Sequence, residues 1–471
     1  MPLRHHPVIA MQATTCRLAI LLSLAYAPLL AWQSNILLIV SDDQGYMDLG
    51  SMGSPNIRTP RLDQLASEGV RLTSYYAAFP VCTPSRGALL TGRYPQRNGT
   101  YDNFRNDRVN DNYLYPQHEY QLSPERILGM DTREVLLSNI LSEAGYATGV
   151  FGKWDLGSLR RFLPMQRGFD DFYGFVNTGI DYWTHERYGI PSMYRGNVPT
   201  EEDSGTYATY IFEREALRFI TNHKGQPFFI YLSYNAPHGA SNLDRNIRGF
   251  AQAPGRCLDR YPSPDRIEGE HRRKFMAAVT CMDDSIGRIL DRLDEYGLTE
   301  DTIVIFVSDN GAGSGGDSGP LRGRKGRMFE GGVRVPFLMR WPGQIAPGTV
   351  SNEFVTALEV FPTLAAAAGA ELPQDVVLDG FDMLPVLQGR AKSPREVMFW
   401  ERQGEYGARV GKWKLVDSRR GGGLFDLAED PGESNDLSEE LPKVRERVES
   451  RYLEWIRQMA DAEPRGPFRD F

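Results

Sequence analysis

Short apolar runs rich in β-branched and aromatic residues alternate in this chain with turns and with longer segments of helical periodicity. Such alternation is typical of an α/β fold, whose strands pair mainly in parallel because a helix returns the chain between them. The pattern therefore predicts a large central sheet that is mainly parallel. Five runs are predicted to be its strands: 36–40, 70–75, 147–151, 228–232 and 303–307.

Two helical segments between these runs have clear ends. One is predicted at 132–143, with Thr132 as N-cap, and the other at 270–296, with Gly297 as terminator. The segment 98–125 has no such period and is rich in Asn, Asp, Tyr and Gln, so it is predicted to be a long surface loop. Long loops in compact domains often carry function, and we expect this one to border a substrate pocket.

The sequence changes character after about residue 370. Segments 411–416 and 423–427 are predicted to be short antiparallel strands, and a charged amphipathic helix is predicted at 441–460. We therefore predict a catalytic domain at 32–370 and a smaller C-terminal subdomain at 371–471. The length of 471 residues is sufficient for this division.

The N-terminal segment 1–31 is predicted to be a secretory signal peptide. Arg17 precedes an apolar stretch at 18–31 that is short for a bilayer span and ends in small residues. An uncleaved membrane anchor and a start at Met11 are the alternatives. The signal predicts export to the periplasm or the extracellular space, with no stable membrane insertion after cleavage.

Charge and cysteine content narrow the classes of function. A formal net charge of -8 argues against a general nucleic-acid-binding surface. Four cysteines are present, and Cys16 would leave with the signal. If Cys82 is consumed by a modification, Cys257 and Cys281 remain as an even pair, either joined in a disulfide in an oxidising compartment or buried as free thiols.

Polar residues follow several predicted strands at the point where each strand ends. Asp42 and Asp43 follow the first run, and Asp309 and Asn310 follow the last. In open α/β sheets the ligand site lies beyond the carboxyl ends of the strands, so these side chains are expected to meet. Such oxygen donors suit Ca²⁺ or Mg²⁺, and a cation would relieve the repulsion among the carboxylates. Each Asp taken alone is more often an N-cap or turn residue.

Cationic groups accompany these carboxylates. Lys153 and His238 follow two further strands, and Arg86 and the basic run from Arg322 to Lys325 add positive charge. A tetrahedral oxyanion requires charges and proton donors of this kind. Each residue alone is more commonly a surface cation or a structural histidine, and together they suit a phosphate ester as well as a sulfate ester.

Cys82 follows a predicted strand and loop, and a helix is predicted to start beside it, at 85–91. A helix N-terminus presents free N–H groups and the positive end of the helix dipole, which favours a nucleophile or an anion. A cysteine nucleophile with a neighbouring His as base is the first interpretation from chemistry. However, no second motif of a cysteine hydrolase is present, and hard metal ligands suit a thiolate poorly.

The run Cys82-Thr-Pro-Ser-Arg86, followed by Leu-Thr-Gly at 90–92, resembles the signature of the type I sulfatases, in which the cysteine of Cys-x-Pro-x-Arg becomes formylglycine. Other motifs of that family follow in its order over most of the chain. The resemblance lies nearest to the arylsulfatase and N-acetylgalactosamine 4-sulfatase branch. These motifs begin at Asp42 (DDQG), Gly152 (GKW), Ala236 (APH), Ser308 (SDNG), Arg324 (RK), Glu330 (EGG), Leu424 (LFDL) and Asp430 (DPGE).

The resemblance implies an alkaline-phosphatase-like sandwich, with a mixed, mainly parallel sheet and a C-terminal subdomain built from an antiparallel sheet and a helix. It implies one Ca²⁺ per chain, and formylglycine produced from Cys82 by a maturation enzyme. The implied calcium ligands are Asp42, Asp43, the modified residue 82, Asp309 and Asn310.

The resemblance also implies roles in catalysis. Arg86 and Lys153 would hold the formylglycine hydrate, and Lys153, Lys325 and His238 would contact the sulfate. One hydroxyl of the hydrate would attack sulfur, helped by the metal and by Asp309. His238 or Lys325 would protonate the leaving alcohol, and deprotonation of the second hydroxyl would then expel sulfate.

One position departs from the family. Sulfatases commonly read Gly-Lys-Trp-His-Leu-Gly, and this chain has Asp155 in place of the His that is credited with the final deprotonation. An Asp can accept a proton there, but its ordinary pKa of about 3.9 makes it a weaker base unless burial raises that pKa. The hypothesis is that Asp155 takes over this step, and turnover that survives Asp155→Asn would contradict it.

Two further features bear on the substrate. The segment 181–187, which contains His185, and the basic run that begins at Arg322 resemble the branch that acts on sulfated galactans and N-acetylgalactosamine 4-sulfate. A sulfated carbohydrate, with 4-O-sulfated galactose or N-acetylgalactosamine as the specific guess, is therefore the expected substrate, although 181–187 could instead be a packed loop. The alternatives are a phosphodiesterase or phosphonate monoester hydrolase of the same superfamily, and an inactive relative that binds sulfated glycans.

Overall fold

A sheet of ten strands runs through the computed structural model, which describes Met1 and residues 33–104, 116–264 and 267–466. The predicted signal peptide therefore lies outside the described residues apart from Met1. From Gln33 onward the described chain forms one compact unit. None of the helices in these residues has the length and apolar character that crossing a membrane requires.

The strands are numbered in chain order. They are β1 Asn35–Ser41, β2 Val70–Leu72, β3 Tyr75–Tyr76, β4 Ala147–Lys153, β5 Asp171–Phe175, β6 Glu186–Arg187, β7 Ile190–Pro191, β8 Met193–Arg195, β9 Val198–Pro199, β10 Phe228–Ser233, β11 Thr302–Ser308, β12 Phe337–Arg340, β13 Thr349–Ser351, β14 Val355–Thr356, β15 Val397–Arg402, β16 Glu405–Val410, β17 Trp413–Asp417 and β18 Gly423–Asp426.

The large sheet is mixed and mainly parallel, as predicted. Its order is β13-β2-β12-β11-β1-β10-β4-β5-β8-β9, and the strands from β11 to β5 all pair in parallel. Antiparallel pairing joins β11 to β12 and β5 to β8. The register places Ser41 beside Ser308, and Ser233 beside Gly152. The carboxyl ends of these strands are therefore level, so the residues that follow them share one edge of the sheet.

Helices cover both faces of this sheet. On β1, Ile36 and Leu38 belong to one buried cluster, and Leu37 and Ile39 belong to another. Each face is thus closed by its own hydrophobic core, which is the layered arrangement of α/β folds. The α-helices are Pro60–Ser67, Cys82–Thr91, Pro95–Asn98, Gln117–Tyr120, Pro124–Ile127, Leu137–Glu143, Ala208–His223, Gly255–Leu258, Ile267–Glu295, Glu330–Val333, Val360–Ala368, Leu384–Leu387 and Pro442–Asp461, and the 3₁₀ helices are Gly50–Met52, Arg160–Phe162, Pro164–Gln166 and Ala357–Glu359.

Strands β15 to β18 form a separate antiparallel sheet. The helix Pro442–Asp461 packs on it, with Tyr452 stacked on Tyr406 at 3.9 Å between ring centroids. Trp400 donates its indole N–H to the carbonyl oxygen of Ala77, and the buried residues of this sheet belong to the same cluster as one face of the large sheet. The predicted antiparallel sheet and helix are confirmed, although β15 and β16 were not among the predicted strands.

The first predicted helix begins later than expected. It starts at Leu137, and Thr132 lies in a turn ahead of it. Asp131 causes this difference, because its Oδ1 accepts the N–H of Arg133 and its carbonyl oxygen accepts the N–H of Glu134. Short Asp side chains compete with helices by bonding nearby backbone groups in this way.

Two other segments differ from expectation. The run 70–75 divides into β2 in the large sheet and the start of β3, which pairs with β14 in a separate two-stranded sheet. The segment 98–125 contains the short helix Gln117–Tyr120 and the start of Pro124–Ile127, with 105–115 outside the described residues. Cys257 and Cys281 form a disulfide, which was one of the two alternatives.

Candidate active site

The oxygen donors that follow β1 and β11 meet at the edge of the sheet. The backbone N–H of Asp43 donates to Oδ1 of Asp309 at 3.1 Å, and the amide of Asn310 donates to Oδ1 of Asp43 at 2.8 Å. All four residues of the predicted metal set on these strand ends are buried, including Asp42 at 0% exposure. These side chains are more than 260 residues apart in sequence. They meet because the strands that precede them end at the same level of the sheet.

Cys82 lies beside these carboxylates as the first residue of the helix Cys82–Thr91. Its Sγ is 3.5 Å from Oδ1 of Asp42 and 3.2 Å from Nζ of Lys325. Ligand atoms of Asp42, Asp43, Cys82 and His238 all lie within 4.8 Å of one another. Burial raises the pKa of the Cys82 thiol well above its ordinary value, so the unmodified side chain is a poor thiolate nucleophile.

Arg86 lies one helical turn after Cys82 and is buried beneath the strand ends. Its Nε and Nη2 donate to Oδ2 of Asp309 at 3.0 and 2.8 Å, and its Nη1 donates to the hydroxyl of Ser233. Arg86 belongs to the helix Cys82–Thr91, which we call the nucleophile helix, and its guanidinium bonds residues at the ends of two strands. These bonds hold the helix against the sheet. Ser233, which the sequence reasoning missed, could have been found because it closes β10.

Lys153 ends β4, and Asp155 follows two residues later in the same cluster. Nζ of Lys153 is 2.8 Å from Oδ2 of Asp42 and 3.6 Å from Oδ2 of Asp155. Asp155 is 1% exposed, has a φ of 59°, and its Oδ2 has no hydrogen-bond partner within the described residues. Burial raises the pKa of Asp155, and the charges of Lys153 and Arg86 only partly offset that rise.

Lys325 and His238 form the side of the cluster that opens to solvent. Their side chains are 23% and 18% exposed, whereas those of Asp42, Arg86 and Lys153 are at 0%. Nζ of Lys325 is 2.6 Å from Oδ1 of Asp43. Nδ1 of His238 lies 2.7 Å from the carbonyl oxygen of Gly239, and burial lowers the pKa of His238 to about 3. The ring is therefore neutral at neutral pH, with Nδ1 as its donor.

The donor set fits a hard divalent cation. Oδ1 of Asn310 is buried and has no hydrogen-bond partner among the described residues. Burial raises the pKa of Asp42 to about 8, although Lys153 acts in the opposite direction, so a further positive charge would be needed to keep this carboxylate ionised. Three carboxylates and one amide oxygen are ligands that Ca²⁺ and Mg²⁺ accept.

Two residues predicted to bind substrate have other contacts. His185 is buried, and its Nε2 lies 2.8 Å from the carbonyl oxygen of Thr206. Arg322 donates to the carbonyl oxygen of Glu433 at 3.0 Å, and its guanidinium lies 4.0 Å from the ring centroid of Phe329. None of these described contacts joins either side chain to the cluster around Cys82, so their roles stay predictions.

A family comparison identifies the family of the chain. The family model "Sulfatase" matches residues 34–370, a span that contains every clustered residue described above. The chain belongs to the sulfatase family. A second model, "N-sulphoglucosamine sulphohydrolase, C-terminal", matches residues 324–458 and covers β15 to β18 of this sulfatase.

Individual relatives of this sulfatase agree with the family model. Arylsulfatase A of Bos taurus is 35% identical, with 90% of this chain and 87% of that protein covered. N-acetylgalactosamine-6-sulfatase of Canis lupus familiaris is 35% identical, with 81% and 71% covered. A crystal structure of Ps i-CgsB in complex with k-i-k-neocarrahexaose is 29% identical, with a TM-score of 0.78 over 90% of this chain and 92% of that chain. The sulfatase is thus a sulfuric ester hydrolase, and its alkaline-phosphatase-like fold is confirmed.

Proposed function

We propose that this sulfatase removes sulfate from a carbohydrate, using formylglycine made from Cys82 and a bound Ca²⁺. The observation that carries this proposal is the convergence of Cys82 with Asp42, Asp43 and Lys325 at the N-terminus of a buried helix. A thiol with a raised pKa is a poor nucleophile at such a site, whereas an aldehyde made from it could act as a nucleophile through its hydrate. Modification by a maturation enzyme is therefore part of the proposal.

The metal would be held by Asp42, Asp43, residue 82, Asp309 and Asn310, and as a Lewis acid it would add positive charge where negative charge develops on the sulfate. The modified residue 82 would supply, as its hydrate, the hydroxyl that attacks sulfur. Asp309 stays ionised for this step because the charges of Arg86 and Lys153 lower its pKa, even though burial acts to raise it.

The remaining cations position the ester and supply a proton. Lys153, fully buried next to Asp42, offers a fixed charge to a sulfate oxygen. Burial alone would lower the pKa of Lys325, but the charge of Asp43 outweighs it and holds the pKa well above its ordinary value. Lys325 is therefore protonated before the ester binds and lies on the open side of the cluster, whereas the neutral ring of His238 commits its one N–H to the carbonyl oxygen of Gly239. Of the two acids considered from sequence, we assign the leaving-group proton to Lys325.

A carbohydrate substrate is supported by the relatives. The canine relative is named for N-acetylgalactosamine 6-sulfate, and the Ps i-CgsB crystal contains a neocarrahexaose. The sequence-based guess was sulfate at position 4, so position 6 becomes the competing hypothesis for this chain. Sulfate release from N-acetylgalactosamine 4-sulfate and 6-sulfate, measured side by side, distinguishes the two positions.

Paired esters test the reaction itself. With one alcohol esterified to sulfate, to phosphate or to a phosphonate, we expect kcat/KM to be highest for the sulfate ester. Mass spectrometry of the peptide that carries residue 82 should show the aldehyde. Faster hydrolysis of the phosphate or phosphonate ester would instead support the other enzymes of the superfamily, and glycan binding with no sulfate release would support an inactive relative.

Metal removal should abolish most activity. After chelation we expect sulfate release to fall at least tenfold and to return on addition of Ca²⁺, because the site loses its largest positive charge. Ca²⁺ should also raise the melting temperature of the wild type by binding only the folded state. In Asn310→Ala this thermal shift should shrink, and an equal shift in both proteins would contradict the proposed ligand set.

Export is supported by the disulfide. Cys257 and Cys281 link the helices Gly255–Leu258 and Ile267–Glu295, and such bonds persist mainly in oxidising compartments. We therefore propose that the mature enzyme acts in the periplasm or outside the cell.

A further inference from the structure

The turn that joins β15 to β16 reaches the neighbourhood of the nucleophile helix. Nε of Arg402 lies 3.1 Å from both carboxylate oxygens of Asp102, and the amide of Gln403 donates to the same carboxylate at 2.8 Å. Asn103 follows Asp102 in the chain, and its side-chain oxygen accepts the backbone N–H of Thr83 at 3.1 Å. Thr83 lies in the first turn of the helix that begins at Cys82. Arg402 is thus held by the segment that contacts the nucleophile helix.

Arg402 also lies beside the loop that carries Lys325. A Cβ placed on Gly326 would lie 3.7 Å from Nη1 of Arg402. The N–H of Gly326 donates to the carbonyl oxygen of Pro80, two residues before Cys82. The guanidinium of Arg402 therefore lies beside the residue that follows Lys325, and Gly326 and the segment 102–103 connect it to the chain on both sides of Cys82.

Part of the guanidinium remains available to a ligand. Asp102 engages Nε, and within the described residues Nη1 and Nη2 of Arg402 have no hydrogen-bond acceptor, while the side chain is 28% exposed. Both oxygens of Asp102 are meanwhile used by Arg402 and Gln403. Two parallel N–H groups in a fixed fork match the oxygens of a sulfate or a carboxylate.

Two further basic residues, Arg324 and Lys325, directly precede Gly326 in the chain, although the whole chain carries a net charge of -8. Arg324 is exposed, and its Nη2 donates to the carbonyl oxygen of Gly313 at 2.9 Å. Arg324 and Lys325 are therefore two cations on the loop that Arg402 approaches at Gly326. Of Arg324, Lys325 and Arg402, it is Lys325 whose described contacts reach the cluster, at Cys82 and Asp43.

We propose that Arg402 binds a second anionic group on the sugar next to the one that loses its sulfate. The substrate class is then a glycan with anionic groups, sulfate or carboxylate, on adjacent sugars. This inference rests on the proposed function, because the position of the scissile sulfate is taken from Cys82 and Lys325. Arg402 is accordingly a residue that sets specificity and takes no part in the chemical step.

Selectivity between matched substrates tests this assignment. The substrates are a disaccharide with one sulfate, the same disaccharide with a second sulfate on the neighbouring sugar, and the same disaccharide with a carboxylate there. In Arg402→Met we expect the preference in kcat/KM for the doubly anionic substrates to fall roughly tenfold to a hundredfold, the size of one charge-assisted pair. The two doubly anionic substrates show which anion is preferred.

Arg457→Met is the control, since Arg457 is exposed on the helix Pro442–Asp461 and its Nε bonds the carbonyl oxygen of Leu453. Its selectivity should equal that of the wild type. If Arg402→Met does not fold, Arg402→Gln provides the same test. High salt should also reduce the selectivity of the wild type, because it screens the contact between Arg402 and the second anion. Unchanged selectivity, or an equal loss on all three substrates, would overturn the proposal. Absence of sulfate release from every substrate by the wild type would instead refute the proposed function.

Discussion

Cys82→Ala is expected to lower sulfate release roughly a thousandfold or more, because the variant has no side chain that can become the nucleophile. The fold should survive this change. Cys82 is fully buried and lies at the start of a helix, so replacing one sulfur by hydrogen creates only a small cavity. The melting temperature should therefore stay within roughly 4 °C of the wild type.

The modification of Cys82 supplies the control for this experiment. Wild-type preparations should contain both the aldehyde and the unmodified thiol at residue 82, in a ratio that depends on the maturation enzyme of the host. We expect activity to rise in proportion to the aldehyde fraction measured by mass spectrometry. Full activity in a preparation whose residue 82 is entirely thiol would refute the formylglycine mechanism.

The metal-ligand set could be predicted because it depends on a general property of sheets. Asp42, Asp43, Asp309 and Asn310 each follow a strand, and parallel strands in register bring such residues to one edge. The sequence shows both the strands and the polar residues after them. It therefore predicts the meeting of these side chains even though more than 260 residues separate the two pairs.

The directions of the other side chains could not be predicted in this way. His185 and Arg322 lie in segments that resemble substrate loops, yet His185 contacts the carbonyl oxygen of Thr206, and Arg322 contacts Glu433 and Phe329. The orientation of such a side chain depends on which of several nearby donors or acceptors it bonds. A sequence pattern does not show which of these partners it bonds in the folded chain. For the same reason the turn at Asp131 shortened a helix whose apolar period was correct.

Arg402 shows a second limit of prediction from sequence. It belongs to β15, which was not predicted, and its partner Asp102 is 300 residues away in the chain. The contact depends on how the C-terminal sheet packs against one face of the large sheet, which is set by the shape of a shared hydrophobic core. No local motif carries that information.

Asp155→Asn should slow turnover roughly a hundredfold to ten-thousandfold, the range expected when a proton acceptor is lost. The substitution keeps the size of a side chain that is 1% exposed and whose Oδ2 has no hydrogen-bond partner within the described residues. Oδ2 of Asp155 lies 3.6 Å from Nζ of Lys153, the cation proposed to contact the sulfate, which places Asp155 beside the proposed reaction centre. Asp375→Asn, at an exposed position, is the matched control and should leave kcat unchanged.

The order of product release shows which step Asp155 serves. If it accepts the proton that frees sulfate, Asp155→Asn should release one equivalent of alcohol per active site in a rapid burst, followed by slow release of sulfate. A base works only when deprotonated, so the wild-type kcat should fall as the pH drops through the pKa of Asp155, which burial holds above its ordinary value. This acidic limb should disappear in Asp155→Asn and activity should return in part in Asp155→His, which carries the residue common in the family. Slow turnover without a burst would assign Asp155 to an earlier step, because alcohol and sulfate would then be released at the same reduced rate.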